Sequence, residues 1–116
     1  MNWSTAKIEQ GLDLGPDSKS LNNNWDVVML QRAQLAYNKG QFKESIQILV
    51  DGRKRSKRDK RTFTQFLEAY YNETVLRLLD ADKVEASVTR FEEGLKLLPN
   101  SETLKKNLDF TKSEQE

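Results

Sequence analysis

The chain has no histidine and no cysteine. Their absence removes Cys/His zinc sites, a thiol nucleophile, a histidine general base and any disulfide framework. Proline is scarce, at two residues, and glycine numbers only five of 116, so the chain has few punctuators. That composition suits helices better than a strand-rich barrel. No apolar run approaches the roughly 20 residues that span a bilayer. The opening Met1–Lys7 stretch lacks the charged-then-apolar layout of a signal peptide. The expectation is a soluble, cytoplasmic chain of about one domain. Neither sign of charge is in excess: 19 Lys and Arg stand against 18 Asp and Glu, for a net +1.

What the chain does have is a repeat. Residues 6–24 and 89–107 share Glu9/Glu92, Gly11/Gly94, Leu12/Leu95, Leu14/Leu97, Pro16/Pro99, Ser18/Ser101, Leu21/Leu104 and Asn24/Asn107, every pair 83 residues apart. A middle copy divides that distance into 41 and 42. Ser4, Ser45 and Ser87 align, as do Ile8, Leu49 and Phe91, then Gly11, Gly52 and Gly94, then Ser18, Asp59 and Ser101, and finally Trp25, Phe66 and Leu108. Periods of this length mean stacked supersecondary units.

Each aligned class has a physical reason. Ser18, Asp59 and Ser101 carry short oxygen-bearing side chains that accept from the free N–H groups of a starting helix, and so mark three N-caps. Downstream, Leu21, Trp25, Val28, Met29, Leu35 and Ala36, then Phe63, Phe66, Leu67, Tyr70, Tyr71 and Leu78, keep helical spacing. Turns follow at Asn38–Gly40 and Asp80–Asp82, after which Phe42, Ile46 and Leu49, then Val84, Val88, Phe91 and Leu95, define second, shorter helices. Helices are therefore expected over about 3–14, 18–38, 42–56, 60–79, 82–97 and 101–113. The Ser and Gly classes lie seven residues apart, on one helical face, where small residues let a neighbouring helix approach closely.

Residues 33–49 and 82–100 resemble the tetratricopeptide repeat, a helix–turn–helix unit. In that pattern Ala33 and Ala36 match first-helix positions, Gly40 the turn glycine, Ser45 and Ser87 the first small position of the second helix. Leu49 and Phe91 match its aromatic position, Gly52 and Gly94 its second small position, and Pro99 the terminal proline. The departures are serine and glycine where alanine is usual, and a period of 41–42 instead of 34, which marks a long-helix variant. The resemblance implies an all-α, right-handed superhelical array of antiparallel helix pairs, an α-solenoid of about six helices. It implies a protein-interaction scaffold, not an enzyme, that holds a peptide or helix in a concave groove lined by the first helices. The polar and aromatic residues of those helices that the core pattern leaves over are Asn24, Gln31, Gln34, Asn38, Gln65, Tyr71, Asn72 and Lys105. Some members of the family clamp a C-terminal carboxylate with Lys and Asn; here Glu68 and Glu73, and Lys105 and Lys106 without an Arg, speak against that mode. The frame opens on a second helix and closes on a first one, so the array is either self-capped or excised from a longer one. Excision is the expectation, with self-association through the open ends as a further expectation.

The middle copy breaks its own template once. Where the outer copies have Leu12, Leu14, Pro16 and Leu95, Leu97, Pro99, it has Arg53, Arg55 and Lys57. The run Arg53, Lys54, Arg55, Ser56, Lys57, Arg58, Asp59, Lys60, Arg61 holds seven bases and one acid, leaving 12 bases and 17 acids elsewhere. The net +1 is thus a +6 segment set against a −5 remainder. Three readings stay open: a solvated turn, a contact for an acidic protein segment or for the chain's own acidic surface, and a nucleic-acid or nuclear-import contact. Against the last, the run has no aromatic residue to stack on bases.

Nothing else points to chemistry. Asp80 and Asp82 lack the 12-residue loop and closing glutamate of a calcium site. Gly11–Gly15 ends a helix and has no Lys-Ser/Thr partner, so it is no phosphate loop. Trp3, Trp25, Tyr70 and Tyr71 read as packing residues, with a groove role as the alternative for the two tyrosines. No cofactor is expected. The expected partner is a protein or peptide, with nucleic acid as the alternative and no membrane.

Overall fold

The computed structural model describes residues 5–115. The expected start of the first helix at residue 3, and the roles given to Trp3 and Ser4, lie outside them. Six helices follow in order: α1 Thr5–Leu14, α2 Lys19–Asn38, α3 Phe42–Arg55, α4 Lys60–Asp80, α5 Val84–Leu97 and α6 Glu102–Gln115. No strand occurs among the described residues. Two compact units divide within α4, one up to residue 64 and the other from residue 65.

The aligned caps do the same job in each copy. Leu21 N–H donates to Ser18 Oγ at 3.2 Å, Thr62 N–H to Asp59 Oδ1 at 3.3 Å, and Leu104 N–H to Ser101 Oγ at 3.2 Å. Each side chain satisfies one of the donors that a helix start leaves open.

The turns repeat as well. After α2, Gln41 N–H reaches back to Ala36 O at 2.9 Å and Gly40 N–H to Tyr37 O at 3.0 Å. After α4, Lys83 bonds Leu78 O at 2.8 Å and Asp82 bonds Leu79 O at 3.0 Å. This paired closure puts one residue in the left-handed region: Gly40 at φ 80 and Asp82 at φ 59. Aspartate tolerates that conformation better than most residues with a Cβ. The closure also sets the start of α5. The helix expected from residue 82 begins at Val84, because Asp82 is spent on the turn and Lys83 flanks the helix.

In the first unit α2 packs against α1 and α3. The core is Ile8 and Leu12 of α1, Trp25, Met29, Ala33, Ala36 and Tyr37 of α2, Ile46 and Leu49 of α3, and Phe63 at the start of α4. Trp25 donates its indole N–H to Gly52 O at 3.0 Å, fixing α2 to the far end of α3. A Cβ on Gly52 would collide with Phe63 Cε1 and lie 3.0 Å from Cζ and 3.1 Å from Met29 Cβ. Glycine here is a spacing requirement, not a turn requirement.

In the second unit α5 packs against α6, and the core is Leu67, Tyr70, Tyr71, Val75, Phe91, Leu98, Leu104 and Leu108. The small positions recur: Ser45 Oγ donates to Phe42 O at 2.7 Å and Ser87 Oγ to Val84 O at 2.6 Å. Both serines are fully buried and satisfied within their own helix, so they occupy little space at no hydrogen-bond cost.

Candidate interaction surfaces

The basic run falls at the corner between α3 and α4. α3 ends at Arg55 because Ser56 turns to extended backbone at φ −63, ψ 126, and α4 restarts under the Asp59 cap. Four of the seven cations are used inside the first unit. Arg55 donates to Asp13 Oδ1 at 2.5 Å and to Glu9 O at 3.3 Å, with its guanidinium 5.9 Å from the Trp25 ring centre. Lys57 donates to Pro16 O at 2.8 Å and Asp17 Oδ1 at 3.3 Å. Lys60 reaches back to Arg53 O at 2.8 Å and Lys54 O at 3.3 Å, placing a cation where the α3 dipole is negative. Arg53 donates to Thr64 Oγ1 at 3.3 Å.

The chain's own acidic surface therefore takes Arg55 and Lys57. Asp17 is fully exposed, so its pair contributes little; Arg55, two-thirds covered and stacked on Trp25, contributes more. The side chains of Lys54, Arg58 and Arg61 are exposed and make no hydrogen bond or ion pair among the described residues, although the Arg58 charge acts on Asp26 through space.

Beneath the corner sits a residue that sequence reading did not single out. Asp26 is 6% exposed, on the same face of α2 as Asn22, one turn away. The Ser56 hydroxyl donates to the Asp26 carboxylate and accepts from Asp59 N–H at 3.2 Å, joining α2 to the corner. Asn22 donates to Pro16 O at 2.9 Å and Ser18 O at 2.8 Å. Asn22 Oδ1 and Asp26 Oδ1 have no partner among the described residues. Burial pushes the Asp26 carboxyl above its ordinary range. The Ser56 bond and the nearby Arg58 and Lys60 charges oppose that shift, and Asp59 adds to it. The signal was present in the sequence: Asp26 falls within the Asn22, Trp25, Met29 arc, where a charge is costly.

The raised value has a sign. Folding is penalised while Asp26 is ionised, and the penalty fades as pH falls through the raised value toward the ordinary carboxylate range. Asp26→Asn, which removes the buried charge, is therefore expected to raise stability at pH 7. The gain should shrink on acidification. Urea unfolding at pH 7 and at about pH 4 checks this, and a larger gain at the lower pH would reject it.

The residues expected to line a groove divide. On α2, Gln31, Gln34 and Asn38 are exposed and Asn24 is half-buried. With Val27, 45% exposed, and Leu35, 59% exposed, they recur at positions 24, 27, 31, 34/35 and 38, one outward stripe of the helix. The stripe carries no charged side chain, in a chain that is 32% charged. α2 has only Lys19, Asp26 and Arg32 as charged residues, and all three lie off it.

In the second unit Gln65 and Lys105 are exposed. Asn72 is half-buried, and its Oδ1 accepts from Asn107 Nδ2 at 2.9 Å. Tyr71 corrects the expectation: it is 4% exposed, and a Cβ on Gly94 would stand 3.0 Å from its Cγ. It is a packing residue held over a glycine, as the simpler reading of the aromatics had it. Its burial also pushes the phenol upward, with Glu93 adding and Arg90 opposing. An open cleft of about 680 Å³ lies against Leu79, Val84, Ala86, Phe110 and Thr111, with Asp82, Lys83 and Glu85 around it.

Among the described residues no three acidic side chains converge as a metal-binding group, and no helix is long and apolar enough to cross a membrane. The chain matches no family model, no curated protein and no solved structure.

Proposed function

We propose that the chain is a non-catalytic protein-interaction module built of tetratricopeptide-like helix pairs that holds a peptide or helix of a partner protein on the outward face of α2. The repeat register, the three equivalent caps and the buried small positions support the helix-pair repeat. The uncharged outward stripe of α2 carries the functional reading. Exposed helix faces in so charged a chain would ordinarily be dressed with Lys and Glu. This one instead pairs two exposed aliphatic side chains, Val27 and Leu35, with the carboxamides of Gln31, Gln34 and Asn38. Amide side chains donate and accept, and so can pair with a peptide backbone of either polarity. The aliphatic groups add about 25 cal/mol for each Å² of apolar area removed from water.

Panning a random peptide library against the whole chain, then mapping selected peptides by backbone amide shifts, tests the reading. Shifts should concentrate at Asn24, Gln31, Gln34 and Asn38, and the double variant Val27→Lys/Leu35→Lys should weaken binding about tenfold or more with its melting temperature unchanged. Failure to select any peptide, or shifts that leave α2 untouched, would refute it.

A further inference from the structure

We infer that Lys54, Arg58 and Arg61 form a docking point for an acidic, carboxylate-rich protein segment, on residues separate from the α2 stripe and independent of what that stripe binds. The fold ties the other cations of the run into hydrogen bonds and leaves these three side chains without one among the described residues. Arg55 and Lys57 tie α1 and the turn after it to the corner, Lys60 closes the carbonyl end of α3, and Arg53 reaches Thr64. A corner that needed charge only for its own closure would stop there. Three further cations stand within eight residues with Asp59 as the one anion among them, and Asp59 is taken up by the α4 cap, accepting from Thr62 N–H and Thr62 Oγ1.

The repeat register adds a second argument. Lys54 and Arg58 occupy the positions that Asp13 and Asp17 hold in the first copy. Those two carboxylates are the ones bound by Arg55 and Lys57. The molecule thus shows carboxylate capture at this corner with its own side chains, and at the equivalent positions the middle copy reverses the sign. Among the described residues no carboxylate pairs directly with either side chain, buried Asp26 acting on Arg58 only through space, so a pairing carboxylate comes from elsewhere.

A peptide fits better than a nucleic acid. Asp13 is 69% exposed and Asp17 fully so, paired with Arg55 and Lys57, and an evenly charged phosphate backbone running along the basic segment would meet them. No aromatic side chain stands in residues 53–61 to stack a base, and Trp25 is buried beneath Arg55. Carboxylates on flexible side chains can reach three cations singly.

The test is fluorescence anisotropy with a labelled peptide of about ten Asp and Glu residues, and with a single-stranded oligonucleotide of about the same charge, at roughly 50 and 200 mM salt. Lys54→Gln/Arg58→Gln/Arg61→Gln should weaken peptide binding about tenfold or more. The control Lys39→Gln/Lys43→Gln/Lys83→Gln removes equal charge from exposed sites elsewhere and should change it by no more than about twofold. Single substitutions at Arg58 or Arg61, each about two- to threefold weaker, guard against a folding defect in the triple variant. An equal loss in the control, oligonucleotide binding as tight as the peptide's, or no peptide binding by the unaltered chain would each overturn the inference.

Discussion

Gly52→Ala is expected to lower unfolding stability by about 3 kcal/mol, at the upper end of what one added methyl costs in a packed core. Alanine is the better helix former by about 1 kcal/mol, so propensity alone has the opposite sign. The collision decides. The new methyl would meet the edge of the Phe63 ring and Met29 Cβ, neither of which is the free end of a flexible chain. Phe63 is itself fully buried and has nowhere to move.

The three equivalent glycines should grade. At Gly94 the nearest atoms are Tyr71 Cγ at 3.0 Å and Leu104 Cδ1 at 3.2 Å, so the cost should be smaller. At Gly11 the nearest atom is Leu21 Cδ1 at 2.8 Å, the tip of a half-buried leucine that can rotate away, and alanine there should be close to neutral. Denaturant unfolding of the three single variants gives the order, and Gly52→Ala with Phe63→Leu should recover part of the loss as a non-additive term. A Gly52→Ala chain as stable as the original would mean that the α2–α3 spacing is not set by this residue.

Trp25→Ala should cost about 4 kcal/mol, the usual range for emptying a large aromatic site. Trp25 is 3% exposed, donates to Gly52 O, and lies under the Arg55 guanidinium. Its removal therefore opens a cavity, leaves the Gly52 carbonyl with Ser56 N–H but without the indole donor, and frees Arg55 from its stacking partner. Trp25→Phe separates these contributions: the ring returns most of the volume but not the donor, so about 1–2 kcal/mol of loss should remain. Equilibrium unfolding followed by far-UV circular dichroism measures both. Equal losses for the two variants would show that the hydrogen bond, not the volume, holds this end of α3.

Much of this was legible in the amino-acid order because its causes are local. Ser18, Asp59 and Ser101 cap helices through bonds three residues long, and Gly40 and Asp82 close turns through bonds five residues long. Such features recur wherever the sequence does. The sequence was less clear about what individual polar side chains do. Tyr71 and Gln65 belong to the same helix and were equal candidates for an exposed role, yet one is buried over Gly94 and the other is exposed. Which of the two depends on where α5 places its glycine, 23 residues later in the chain. For Asp26 helical spacing shows a charge on a buried arc, but its link to the corner comes from Ser56, 30 residues on, lying against it.

The amino-acid sequence by itself determined the helices, their order, the register of the three copies and the segregation of charge behind a net +1, since each follows from spacing within a turn or two or from simple counting. Tertiary structure decided how the seven cations of residues 53–61 divide. Arg55 and Lys54 are neighbours of the same sign, and nothing within a few residues distinguishes them. Arg55 meets Asp13 from 42 positions away, while Lys54 offers only its backbone carbonyl to Lys60 and leaves its ammonium in water. Charge is a property of the residue, but whether it is neutralised depends on which distant carboxylate the packing of α1 brings within reach.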